Sequence, residues 1–218
     1  MLLTESPYRT SNILQYQVPL VRTVVSVDLG SRRDHSAIAV LEEREFRTTW
    51  DAVQFGYRWE KRILVRYLER LPLRTNYVDV AARVKEVADS VIYPKARAVV
   101  VDATGVGMPV VDLLKQSHLK AIVMPVIITG GDTTSRDGNL WRVPKKDIVS
   151  NIQILLEQHT LRLPGTIPEV EMLIKEMQDM RVVVSPAGNE KFGANREGEH
   201  DDLVLAVGLG AWWLCRAK

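Results

Sequence analysis

Hydrophobic positions along this chain follow two periods, and the switches between them mark out its elements. Residues 22–28 (Arg-Thr-Val-Val-Ser-Val-Asp) are apolar on both faces, as in a strand central to its sheet. Gly30 to Asp34 read as a turn, and residues 35–42 as a strand returning antiparallel beside the first. Residues 43–57, with Trp50, Phe55 and Gly56, keep no settled period and read as an excursion or a loop. Residues 58–68 alternate charged with apolar side chains, which suits a third, half-exposed strand.

From residue 76 the period lengthens. Tyr77, Val80, Ala81, Val84, Val87, Ala88 and Val91 form one stripe, which predicts a helix over 76–93 stopped by Pro94. A valine-rich strand over 96–102 follows, then a glycine turn, a short helix over 109–117 and a strand over 121–128. Residues 129–143 are rich in Gly, Asp, Thr and Ser and read as a mobile loop or a hairpin. Helices are predicted over 144–159 and again after Thr166-Ile167-Pro168-Glu169, a capping box with proline at N1 and a stripe of Val170, Leu173, Ile174 and Met177. A short strand over 181–185, a polar glycine-rich loop over 186–199 and a helix over 201–214, apolar nearly all round, complete the chain. Antiparallel strands first, then strands alternating with helices, predict an α/β fold with a mixed sheet and helices on both faces.

Composition narrows this little. A chain of 218 residues, 46% hydrophobic and 26% charged, fits one globular domain over 1–218, with 1–20 as an extended or partly disordered lead-in. No apolar run reaches the roughly 18–20 residues of a membrane span, and the N-terminus lacks a signal pattern, so a cytoplasmic protein with no membrane partner is expected. Cys215 stands alone, which excludes an intrachain disulfide. His35, His118, His159 and His200 have no ligand spacing that would support zinc. Net charge is only +2, although Arg58, Lys61, Arg62, Arg66, Arg70 and Arg74 cluster; a solvated face explains such a run more readily than a phosphate-binding surface.

The chemistry lies in the acids that end apolar runs. Asp28 closes the first strand, Asp102 closes the valine strand before Gly105-Val106-Gly107, and His200-Asp201-Asp202 opens the last helix. If the two strands are parallel neighbours, Asp28 and Asp102 emerge at one carboxyl edge, where α/β sheets place ligands. Several carboxylates in one place repel unless cations neutralise them, and hard oxygen donors suit Mg²⁺ or Mn²⁺. Two such ions could serve phosphodiester cleavage. Each acid also has a plainer role open to it: Asp28 or Asp102 capping a turn, Asp201 and Asp202 facing a helix dipole.

Val-Asp-Leu-Gly-Ser-Arg-Arg-Asp-His-Ser-Ala-Ile-Ala-Val from Val27, Val-Val-Val-Asp-Ala-Thr-Gly-Val-Gly from Val99, and His-Asp-Asp-Leu-Val-Leu-Ala from His200 resemble the three acidic motifs of the nuclease domain of bacteriophage terminase large subunits, a ribonuclease H-like fold. The helix start at Val143-Pro144-Lys145-Lys146-Asp147 and the segment Leu161-Arg162-Leu163-Pro164 resemble that family too. The resemblance runs from about residue 22 to 214. It implies metal ligation and catalysis by Asp28, Asp102 and Asp202, with Asp201 and Asp34 as lesser ligands or water-orienting groups. It also implies cutting of double-stranded DNA during genome packaging with Mg²⁺ or Mn²⁺, alongside a separate ATPase motor, a small terminase subunit or a portal protein. The chain has no Gly-x-x-x-x-Gly-Lys loop and no Gly-Lys pair, so it reads as either an excised domain or a free-standing relative, unable to translocate DNA alone. DNA contacts are expected from Arg136, Arg142, Lys145, Lys146, Lys191 and Arg196. Competing readings are a Holliday-junction-resolvase-like nuclease, a fragment of an actin-like ATPase, and a non-catalytic DNA-binding or assembly module.

Overall fold

The computed structural model describes residues 21–30, 34–91, 96–105, 107–184, 190–193 and 200–216, with backbone alone for 96–97, 181–184 and 190–193. Three strands open the chain: β1 (Val21–Asp28), β2 (Ala37–Asp51) and β3 (Gly56–Arg70). Helix α1 (Tyr77–Ser90), strand β4 (Ala96–Asp102), helix α2 (Gly107–Gln116) and strand β5 (Ile122–Thr129) follow as crossovers. Next come β6 (Ser135–Asp137), β7 (Leu140–Pro144), α3 (Lys145–Glu157), β8 (Leu161–Arg162) and α4 (Glu169–Asp179). The hairpin of β9 (Arg181–Val184) and β10 (Glu190–Gly193) leads to α5 (Asp202–Arg216).

Eight strands share one sheet in the order β6-β7-β5-β4-β1-β2-β3-β8. β1, β2 and β3 pair antiparallel, while β1–β4, β4–β5 and β5–β7 are parallel. This is the mixed sheet predicted, and helices cover both of its faces. Alternation along β1 explains the two cores. Val24 turns to a cluster with Leu41, Ile63, Ile148, Leu173 and Leu209 under α3, α4 and α5. Val25 and Val27 turn to a cluster with Val84, Val99, Val101 and Val111 under α1 and α2.

Helix α5 is buried through almost its whole length, as its unbroken apolar character predicts. It lies on β1 and β2 with no room for side chains at the crossing: a Cβ on Gly210 would sit 2.6 Å from Ser26 Oγ and 2.8 Å from Leu41 Cδ1. Ser26 Oγ donates to the Ala206 carbonyl at 2.6 Å, and Arg22 donates to the Leu214 carbonyl at 2.7 Å, so the sheet satisfies carbonyls of the helix that it packs.

Several boundaries differ from the sequence reading. Residues 43–57 are neither excursion nor loop: β2 runs on to Asp51, a turn covers 52–55, and β3 begins at Gly56. That outer ribbon is solvated on both faces, so it carries no burial period to read. Residues 129–143, read as a loop or a hairpin, include the β6–β7 hairpin, in agreement with the second of those readings. The Thr166–Glu169 capping box does not form: Pro168 occupies the cap position without a side-chain hydrogen bond, and Ile167 N bonds the Pro164 carbonyl at 3.2 Å instead. Ile174 is 39% exposed, and Glu176 takes the inner face of α4. The expected lead-in over 1–20, the turn residues 31–33 and most of the 186–199 loop lie outside the described residues.

Replacing Gly210 with valine forces methyl groups into Ser26 and Leu41. We expect a loss of about 1–3 kcal/mol, read as a lower midpoint in urea unfolding.

Candidate metal centre

The site begins with strand register. β1 and β4 run parallel with Val27 opposite Val101, so the next residues, Asp28 and Asp102, leave the sheet side by side at its carboxyl edge. Both are buried. Burial above all, then repulsion from Asp102, Asp202 and Asp201, pushes the Asp28 carboxyl well above the usual carboxylate range. Contact with the Asp102 side chain adds to that rise and pulls Asp102 the other way. Asp102 is raised as well by burial, against the pull of its hydrogen bonds to Thr104. Its Oδ1 accepts from Thr104 N at 2.8 Å and Thr104 Oγ1 at 2.5 Å, while Thr104 Oγ1 accepts from Ile128 N at 2.8 Å on the next strand. The turn that allows this brings α2 against the strand end, where a Cβ on Gly107 would collide with the Asp102 carbonyl.

The other two acids arrive on α5. The Asp201 carbonyl accepts from Leu205 N at 2.9 Å, which makes Asp201 the first residue to bond into the helix, and its side chain pairs with Lys145 of α3 at 2.5 Å. Asp202 is 3% exposed and lies 3.5 Å from Arg70 and 3.8 Å from His200 Nδ1. Burial raises its carboxyl, and Arg70 and His200 partly offset that. Asp34 is exposed in the bend between β1 and β2.

Sequence reasoning missed Glu176. It is an acid at the helical spacing of Leu173 on the inner face of α4, and that placement was the available signal. Its Oε2 accepts from Leu203 N at 3.0 Å and Val204 N at 3.2 Å, capping α5 from a different helix. Its Oε1 pairs with Arg70, which in turn faces Asp202. Arg70 therefore belongs to the site rather than to a solvated face. Four others of the basic run are paired: Arg58 with Asp51, Lys61 with Glu43, Arg62 with Glu60 and Arg66 with Glu42. His35 and His200, far apart in sequence, meet edge to face with centroids 5.4 Å apart.

The donors fit a hard divalent cation chemically: four carboxylates, three of them buried, with Asp202 Oδ2 lacking a hydrogen-bond partner among the described residues. Geometrically they are not gathered. Among the described residues, no group of three or more His, Cys, Asp or Glu side chains could hold a metal ion as it stands. Two of the acids have cationic partners: Asp201 is paired with Lys145, and Asp202 faces Arg70. A cation entering here must compete with an ammonium and a guanidinium.

Of the residues expected to touch DNA, Lys145 and Lys146 open α3 at the carboxyl edge, where Lys145 holds Asp201 and Lys146 reaches Asp132 at 2.5 Å. Arg142 is exposed on β7. Arg136 lies 5.0 Å over the Trp141 ring and donates to the Gly138 carbonyl at 2.7 Å. The side chain of Lys191 and all of Arg196 lie outside the described residues.

No protein-family model and no curated protein matches the sequence. Solved structures do match. The large terminase nuclease of thermophilic phage G20c with bound magnesium has a TM-score of 0.60 at 21% identity, over 88% of this chain and 81% of that one. The nuclease domain of large terminase subunit gp2 of bacterial virus Sf6 has 0.56 at 12% identity, over 88% and 87%. The HK97 bacteriophage large terminase has 0.50 at 12%, over 88% of this chain but 39% of that one. The chain has the fold of a phage large-terminase nuclease domain. In this terminase-nuclease fold the carboxyl edges of β1 and β4 and the start of α5 form one polar site, and no helix among the described residues is long and apolar enough to cross a membrane.

Two substitutions test this geometry. Glu176→Ala uncaps α5 and strips Arg70 of a buried partner; we expect about 3–5 kcal/mol of destabilisation in urea unfolding. For Asp28, a raised folded-state pKa means that the folded protein binds more protons than the unfolded chain. Stability should fall as pH rises from about 4 through that raised value. Asp28→Asn removes the penalty, so metal-free Tm at pH 8 should rise by about 2–4 °C per kcal/mol relieved, with little gain at pH 4.

Proposed function

We propose that this protein is a Mg²⁺- or Mn²⁺-dependent endonuclease that cuts double-stranded DNA, as in phage genome packaging. The observation that carries this reading is the pair of buried acids Asp28 and Asp102 at one sheet edge, beside Asp202 and Asp201 at the start of α5. The similar folds belong to terminase nucleases, one solved with magnesium and another with manganese. Asp28, Asp102 and Asp202 are assigned as ligands and catalytic residues, with Asp201 and Asp34 in support. Bound divalent cations at such a site activate water and stabilise the leaving oxygen in phosphodiester cleavage. Thr104 fixes the direction of the Asp102 carboxylate. Asp28 would hold such a cation as the carboxylate anion, without its proton. Lys145, Lys146, Arg142 and Arg136 supply positive charge for sequence-independent phosphate contacts, with Lys191 and Arg196 assigned the same role. The chain would act as one nuclease domain in the host cytoplasm, working with an ATPase motor, a small terminase subunit or a portal protein.

The test is cleavage of linear duplex, supercoiled plasmid and four-way-junction DNA with Mn²⁺. Intact protein should cut both duplex substrates. Asp28→Asn and Asp102→Asn should each lower the rate on the order of a thousandfold, about 4 kcal/mol of transition-state stabilisation. Cutting of junctions alone would indicate a resolvase. No metal-dependent cutting of any substrate would rule out the enzyme and leave a binding or assembly module.

A further inference from the structure

The most exposed apolar surface lies far from the carboxylates. Arg44 of β2 pairs with Val21, the first described residue of β1, so among the described residues β2 beyond Arg44 and the facing part of β3 continue past the sheet as a two-stranded arm. Residues 45–51 carry it roughly 20 Å further. The acids leave β1 at its other end, where Asp28 pairs with Ala37. The arm therefore points away from the metal centre.

One face of this arm is aromatic and cationic. Arg47 pairs across the ribbon with Trp59, and Trp50 with Tyr57; cross-strand partners share a face, as do Tyr57 and Trp59 two residues apart. The Arg47 guanidinium lies 5.5 Å from the Tyr57 centroid and 5.2 Å from that of Trp59, and Trp50 meets Tyr57 edge to face at 5.1 Å. Trp50 and Tyr57 are 54% and 49% exposed, and Val53 and Phe55 at the tip are 90% and 82% exposed. Arg58 and Arg62 find carboxylates in Asp51 and Glu60, whereas Arg47 rests on rings. Residues 44–62 hold five Lys or Arg against three Asp or Glu, the same excess as the +2 of the whole chain.

We propose that this face of the β2–β3 arm binds single-stranded nucleic acid, with Trp50, Tyr57 and Trp59 stacking on bases and Arg47 meeting phosphate. Rings at two-residue spacing on one flat face, with a guanidinium among them, form a stacking platform that tolerates any base sequence. A duplex keeps its base faces inside its own stack and offers such rings nothing to lie on. A soluble protein seldom leaves this much aromatic surface uncovered without a partner. The excess positive charge favours a polyanion. The proposal stands apart from the nuclease reading, because it needs neither metal nor cleavage.

Fluorescence anisotropy with labelled oligothymidylate and a duplex of equal length, using the 218-residue chain in EDTA, tests it without cutting. The single strand should bind more tightly than the duplex. Trp50→Ala and Tyr57→Ala should each weaken it about fivefold or more, the value of a lost stacked base. Arg47→Ala should lower the slope of log affinity against log salt by about 0.7, the signature of one phosphate contact. These side chains are exposed, and unchanged circular dichroism and Tm would confirm intact folds. No binding of oligothymidylate, or equal binding by all three variants, would overturn the proposal. So would self-association of the intact chain that Trp50→Ala abolishes, which would make the arm an interface between copies.

Discussion

Parallel pairing of β1 with β4 is the constraint on which the site depends. Their register sets Asp28 beside Asp102 and cannot slip easily, because valines on both faces of both strands are locked into separate cores. A shift by one residue would turn every one of those valines to the wrong face. Burial that fixes the register also strips water from the acids, so the packing that builds the site makes it electrostatically costly. The cost shows in both strand-end carboxyls, whose pKa values are pushed upward chiefly by that burial.

Helix α5 brings the remaining acids and depends on neighbours at both ends. Glu176 of α4 caps its first turn, and Arg22 of β1 meets the Leu214 carbonyl near its last. With Gly210 against Ser26 and Leu41, the helix has little freedom to slide. Asp202 is held by the fold, and Arg70 and Lys145 neutralise Asp202 and Asp201 as a bound cation would. Buried ion pairs of this kind add little net stability, since desolvation offsets most of the attraction. Their use here is to keep charged groups buried and in place.

Much of this was legible in the chain. Continuous apolar runs showed β1, β4 and α5 as buried elements, and acids at the ends of such runs were anomalous enough to mark a site. The three acidic segments carried the resemblance to terminase nucleases, whose fold the structure shows. Other features were hidden for physical reasons. The outer half of the β2–β3 ribbon buries neither face, so hydrophobic periodicity gives no sign of it. Glu176 and Arg70 act across more than a hundred residues, and nothing local in either sequence context reports their meeting. The Thr166–Glu169 motif had the right letters for a capping box, but Pro168 took the cap position.

A crystal soaked in Mn²⁺ and measured at the manganese absorption edge bears most directly on whether these carboxylates hold metal. An anomalous peak between Asp28 and Asp102, with Asp202 turned from Arg70 toward it, is the predicted result. No anomalous density at that edge, with Asp201 still paired to Lys145 at saturating Mn²⁺, would contradict it.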